Sequence, residues 1–113
     1  MGEIYSGCGL GRSYEGRLED EVVYSGGWGG VPVGMVTQDG LVYRGLGLSR
    51  SCVGRVDRDG VVYAGEGWGS HRVGYVESDG LVYTGGGFGA DLVGEAEGPR
   101  RFASGAAYLL LFR

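Results

Sequence analysis

Short runs of β-branched and aromatic residues alternate along the chain with polar, Gly-rich stretches. The run Val53-Gly54-Arg55-Val56 leads into Asp57-Arg58-Asp59-Gly60 and then into Val61-Val62-Tyr63-Ala64-Gly65. Two β-rich runs joined through Asp-Gly predict a β-hairpin. A type I turn with Gly60 left-handed in a bulge suits this loop, because Gly takes positive φ without steric cost. Thr37-Gln38-Asp39-Gly40 and Glu77-Ser78-Asp79-Gly80 repeat the turn, so hairpins are expected at about 33–45, 53–65 and 73–85. A fourth, at about 14–26, is one residue shorter at its tip and lacks the Gly. A fifth, at about 93–105, carries Glu97-Gly98-Pro99-Arg100 at its turn and Ala103 where the others have Tyr.

The hairpins fall on a repeat. Tyr5, Tyr24, Tyr43, Tyr63 and Tyr83 stand 19, 19, 20 and 20 residues apart. No unit of that length buries a core alone, so the units must stack or close on one another within a single domain, residues 1–113. Helix is not expected: Gly recurs too often, and no 3.6-residue apolar period persists. Met35, Arg55, Tyr75 and Glu95 share one strand position with no common chemistry, which assigns it to solvent; Gly34, Val36 and their equivalents face inward. Each Tyr is expected to pack over a glycine of the neighbouring strand, with its hydroxyl near solvent. An open meander would leave two unpaired edges, and closure removes them. The strand-like ends Glu3–Gly7 and Leu109–Phe112 are expected to pair and seal the ring. The predicted fold is all-β, an antiparallel meander of about five hairpin repeats closed into a small pseudo-symmetric barrel.

The reiterated strings VGRVDRDGVVYAGEGWG, VGYVESDGLVYTGGGFG and VGMVTQDGLVYRGLGLS, within about residues 14–94, resemble the bacterial β-flower proteins. That resemblance implies hairpin petals around a shallow, nearly symmetric barrel similar to tubby-like barrels. It also implies association with lipid or membrane, while the family has no settled biochemical activity, so the resemblance implies a fold more than a function. Tyr24-Ser25-Gly26-Gly27-Trp28 also resembles membrane-occupation-and-recognition (MORN) repeats, which would imply an open, elongated sheet.

Composition narrows the function classes. Gly is 27 of 113 residues, against about 7% in ordinary chains, yet there is no Gly-X-Y period. The net charge is −4 with both signs interspersed, which offers no footprint for nucleic acid. The chain shows no secretory signal, and the run Ala106–Phe112 is too short to span a bilayer. Cys8 and Cys52 match no metal or redox spacing and read as two reduced thiols, with a disulfide between neighbouring units as the alternative, so the expected localisation is cytoplasmic.

Catalysis finds little support. The Asp-Gly turns lack the further ligands of a calcium loop, since Thr37 and Glu77 replace Asp57 in sister units. His71 is the single histidine and has no companion at metal or triad spacing. Glu66, near Trp68, is replaced by Leu46 and Gly86. Gly-rich stretches such as 85–89 precede no helix and so do not form a phosphate loop. Ser6, Ser25, Thr84 and Ser104 align after the Tyr position and could line a channel. The expectation is no enzyme, no cofactor and no metal site.

One set of residues carries a binding hypothesis. Leu10, Trp28, Leu48, Trp68 and Phe88 recur in the connecting loops, with Tyr108 as an end equivalent. In a closed ring they gather at one end, either exposed as an apolar rim or folded inward as a plug. The function read from them is a binding module for a membrane surface, a hydrophobic ligand or a protein partner. The alternative is a structural scaffold that forms homo-oligomers through that rim or the Leu109–Phe112 segment.

Overall fold

The computed structural model describes residues 2–7, 11–26, 30–65, 70–85 and 90–112. Its strands are β1 (Gly2–Ser6), β2 (Ser13–Glu19), β3 (Val22–Ser25), β4 (Val31–Val36) and β5 (Leu41–Arg44). The second half contributes β6 (Ser51–Val56), β7 (Val61–Ala64), β8 (His71–Val76), β9 (Leu81–Thr84) and β10 (Asp91–Glu97). Each strand pairs antiparallel with the next, and β10 returns to β1, so the sheet is a closed barrel. The closing register sets Glu3, Ile4, Tyr5 and Ser6 against Glu97, Ala96, Glu95 and Gly94. The molecule measures 38 × 37 × 21 Å, a shallow disc.

The expected turns are present. In the 57–61 turn, Gly60 donates to the Asp57 carbonyl at 3.1 Å and Asp57 to the Val61 carbonyl at 3.0 Å. Gly60 has φ of 90°, as does Gly40, and Gly80 has 96°. A side chain at Gly60 would also overlap the Val76 carbonyl oxygen of the next petal, so the position needs Gly twice over. The shorter 20–21 tip puts Asp20 at φ of 56° instead, a conformation that Asp tolerates better than most residues.

The C-terminal part departs from expectation. β1 closes the ring on β10, not on Leu109–Phe112, and the expected second strand of a 93–105 hairpin is absent. Instead the chain turns at Gly98–Arg100 into helix α1 (Arg101–Ala107), which continues as a π-helical turn, Tyr108–Phe112. Pro99 has no N–H for a strand ladder, whereas Ala and Leu, which dominate the following residues, are the strongest helix formers. A helix enclosed by a barrel is apolar all round, so it displays no amphipathic period.

That helix is the core's centre. Around it stand two inward rings of five: Ile4, Val23, Val42, Val62 and Val82, then Leu18, Val36, Val56, Val76 and Ala96, all buried. A third ring is glycine: Gly16, Gly34, Gly54, Gly74 and Gly94. A Cβ on any of them would run into the carbonyl oxygen of Tyr24, Tyr43, Tyr63, Tyr83 or Tyr5 respectively. It would also crowd a helix side chain: Phe112 at 3.0 Å, Leu111 at 2.8 Å, Leu110 at 2.8 Å, Leu109 at 3.0 Å and Tyr108 at 3.0 Å. Five consecutive residues therefore meet five petals in turn. A π turn, closed by i→i+5 bonds, rotates less per residue than an α turn and so comes nearer the fivefold spacing of the petals.

The tyrosines also differ from expectation. Their rings lie on the outer wall, and what each places beside a glycine is its carbonyl oxygen. Tyr43, for example, pairs outward with Met35 and Cys52, while Gly54 pairs inward with Val42 and Ala64. Plain alternation produces this, since Val42 and Val62 point inward and Tyr63 pairs with the outward Arg55 in an unbroken register. The bulge in each petal, at residue 15, 33, 53, 73 or 93, re-aims only the start of its strand. The extra residue shifts the alternation of faces by one there.

Candidate functional site

The bulges define the end of the barrel from which the connecting loops emerge. The freed carbonyls of Glu15, Val33, Val53, Val73 and Val93 accept from Gly26, Gly45, Gly65, Gly85 and Gly7 at 2.8–3.0 Å. All five glycines have positive φ, which turns the chain out of the sheet into its loop. In the 45–50 loop this leads to a 3-10 turn, Gly47–Ser49, on which Leu48 stands at 109% relative exposure. Val31 and Leu92, at the starts of β4 and β10, are also exposed on this end. Of the five residues of the sequence-derived rim, Leu48 is exposed; Leu10, Trp28, Trp68 and Phe88 lie outside the described residues. Tyr108 is not a rim residue at all: it is buried, and its hydroxyl donates to the Val93 carbonyl at 3.3 Å.

The barrel axis ends here too. Ser6, Ser25, Arg44, Ala64 and Thr84 occupy the last inward strand positions, beside the glycine ring against which the Tyr108–Phe112 side chains pack. Arg44 donates from Nη2 to the Leu110 carbonyl at 2.9 Å. Ser104, aligned with these hydroxyls by sequence, sits elsewhere, fully buried in α1 beside Gly2. The plug is thus the chain's own C-terminal segment, which also takes up the Leu109–Phe112 stretch considered as an oligomer contact.

The outer wall is a belt of tyrosines covered by arginine, the sole cationic side-chain type besides His71 in a chain without lysine. Guanidinium carbons lie 3.8 Å from the Tyr5 ring centroid (Arg12), 4.4 Å from Tyr24 (Arg17), 4.7 Å from Tyr43 (Arg50) and 4.2 Å from Tyr63 (Arg55). Arg72 lies over Tyr75, which stacks on Tyr83 at 4.8 Å. Cation–π contact of this kind is worth about 0.5–1 kcal/mol when exposed.

The belt is electrostatically divided. Arg12 reaches Glu95 at 3.0 Å and Glu97 at 2.8 Å, and Arg17 reaches Glu19 at 3.2 Å. Hydrogen bonds that Arg12 donates to Glu97 and Glu95 raise its pKa, and one that Arg17 donates to Glu19 raises that of Arg17. The Tyr5 phenol is likewise pushed up, chiefly by partial burial and then by the Glu3 and Glu97 carboxylates. Across the barrel, residues 40–56 contain Arg44, Arg50 and Arg55 and no acid. That acid-free stretch was the sequence signal for the arginines, which reasoning from the repeat passed over.

The opposite end, where the hairpin tips gather around the start of α1, is held by main-chain contacts. Arg100 donates to the Asp20 carbonyl at 2.8 Å and the Thr37 carbonyl at 2.9 Å. The Asp57 carboxylate accepts from the Asp59 and Val61 amides at 2.9 and 3.0 Å. It closes its own turn, which leaves it a poor cation ligand. Among the described residues no three His, Cys, Asp or Glu side chains are grouped to hold a metal. His71 is exposed at the start of β8. Cys52 carries a free thiol 3.7 Å from the Gly54 carbonyl, while Cys8 and Glu66 lie outside the described residues. No helix among these residues is long and apolar enough to cross a membrane.

Comparison with family models, with curated proteins and with solved structures finds no match to the chain.

Proposed function

We propose that the chain is a non-enzymatic binding module that docks on a membrane surface through its loop end. The observation that carries this reading is Leu48, a large apolar side chain fully in water at the tip of its loop. A barrel has two places for an apolar partner, its interior and its surface. Here Tyr108–Phe112 occupy the interior, which leaves the surface.

Val31 and Leu92 extend the exposed apolar area at the same end. The repeat assigns Leu10, Trp28, Trp68 and Phe88 to loop positions equivalent to Leu48. Magnitude matters here, because burying one Leu is worth about 1.5–3 kcal/mol. Single contacts of that size bind weakly and reversibly, so several loops must insert together. The shallow ring of petals fits the architecture implied by the β-flower resemblance, and the lipid association implied with it agrees with this reading.

Co-sedimentation with zwitterionic phosphatidylcholine vesicles, read with Trp28 and Trp68 fluorescence, tests the proposal. Pelleting with a blue shift, both weakened in Leu48→Ser, is expected. Absence of both removes the membrane reading. If sedimentation then shows concentration-dependent self-association weakened by Leu48→Ser, the loop end serves an oligomerising scaffold instead.

A further inference from the structure

We infer that the outer wall carries a second binding site, a groove between β5 and β6 that takes a small phosphate monoester with an apolar body. The groove encloses about 620 Å³ and is lined by Leu41, Tyr43, Arg50, Cys52, Gly54 and Arg55, among others. That volume falls within the roughly 300–1,000 Å³ of small-molecule sites. Register builds it: Leu41 lies opposite Arg55 and Tyr43 opposite Cys52, so an aliphatic and an aromatic residue share the lining with the two arginines.

The charge of the groove has one sign. Of the six residues named, the two that are charged are both cationic, in a chain whose net charge is −4. Arg12 and Arg17 show how this fold neutralises an arginine of the belt, with carboxylate oxygens at 2.8–3.2 Å. Among the described residues neither Arg50 nor Arg55 has a carboxylate in ion-pair range. Their hydrogen bonds are long: Arg50 Nη1 to the Met35 sulfur at 3.7 Å, and Arg55 Nη1 to Ser70 Oγ at 3.5 Å.

Both guanidinium groups are nevertheless held in place. Arg50 lies over Tyr43 and Arg55 over Tyr63. Stacking occupies the face of the guanidinium plane and leaves its N–H edge available, which is the edge that grips an oxyanion. A guanidinium fork suits a phosphate monoester, which carries about 1.5–2 negative charges and three acceptor oxygens at neutral pH, and the second arginine adds to the attraction. Leu41 and the Tyr43 ring then take the apolar body.

The site adjoins the docking end through Arg50, which closes the turn that carries Leu48, but its ligand contacts are Arg50, Arg55, Leu41 and Tyr43, not Leu48. Phenyl phosphate, titrated calorimetrically into the full chain at low ionic strength, is the probe, with phenol and inorganic phosphate as comparisons. Phenyl phosphate is expected to bind saturably and more tightly than either comparison, and to weaken as salt rises. Arg50→Gln and Arg55→Gln should each weaken it about tenfold to a hundredfold. Arg58→Gln, at a hairpin tip, should leave it unchanged. Arg50→Lys and Arg55→Lys keep the charge without the planar fork and should fall between, which keeps the test readable if a Gln variant folds poorly.

Vesicles containing phosphatidic acid identify the source of the phosphate. Binding beyond that to zwitterionic vesicles, lost in the Arg50 and Arg55 variants, assigns the site to a lipid headgroup. Binding of phenyl phosphate without that vesicle increment assigns it to a soluble ligand. Absence of both, or equal binding by the Arg50→Gln/Arg55→Gln double variant, overturns the inference. Zwitterionic vesicles test the docking end by itself, so either proposal can fail without the other.

Discussion

Arg44 reaches over the rim of the barrel and donates from Nη2 to the carbonyl oxygen of Leu110 at 2.9 Å. The carbonyls in the last turn of a helix lack intrahelical partners and form its negative end. A guanidinium there both satisfies an acceptor and complements the field. The sister petals carry Ser6, Ser25, Ala64 and Thr84 at this position, none long enough to copy the contact.

Arg44→Ala is therefore expected to lower stability by about 1–2 kcal/mol in urea unfolding. An unchanged midpoint would mean that the rim does not hold the helix end.

The glycine ring predicts a sharper effect from a smaller change. Gly54→Ala adds one methyl that overlaps the Tyr63 carbonyl oxygen and crowds Leu110. Overpacking of this kind costs about 1–3 kcal/mol, and backbone has less freedom to yield than a side chain. Gly11→Ala meets open space and should stay within about 0.5 kcal/mol of the parent. Equal melting curves for the two variants would contradict the packing described.

Two leucines should separate core from surface. Leu110→Ala removes buried volume beside Gly54 and is expected to cost about 2–5 kcal/mol. Leu48→Ala, at a fully exposed position, should leave thermal stability within about 0.5 kcal/mol while reducing vesicle binding. A Leu48 variant that melts early would place this side chain in the core, and the docking reading would fail with it.

The Asp57 turn predicts structure without metal. Asp57→Ala loses carboxylate bonds to two amides and is expected to cost about 1 kcal/mol. Millimolar calcium should leave the parent's melting temperature unchanged. A calcium-dependent rise that Asp57→Ala abolishes would overturn the turn-tip assignment.

Much of the barrel was legible because each petal repeats its own instructions. The Asp-Gly tips, the β-branched runs and the unpaired N-terminal strand lead to a closed meander, and the structure closes. The helix was not legible, because enclosure on every side erases the period by which helices are recognised. Arg101–Phe112 shows composition without pattern, and apolar residues at the end of a β repeat read as one more strand. Each Tyr was expected over a neighbouring glycine with its hydroxyl near solvent, and the hydroxyl end holds while the packing partner does not: alternation from inward Val42 and Val62 sets the rings on the outer wall. The bulge at Val53, which no spacing in the sequence announces, re-aims the start of β6 and brings Cys52 beside Tyr43. Of the candidate rim, the repeat located Leu48 in a loop, but its exposure depends on what fills the barrel, and that was the unseen helix.

The central claim is that the chain plugs its own barrel and leaves only its outside for partners. The most direct measurement is a methyl-resolved NOE spectrum with the leucines of the C-terminal segment assigned. Leu109, Leu110 and Leu111 methyls should each show cross-peaks to the α-protons of a single glycine, namely Gly74, Gly54 and Gly34 in that order. Cross-peaks from these leucines to the β1 backbone, or averaged random-coil methyl shifts, would contradict it.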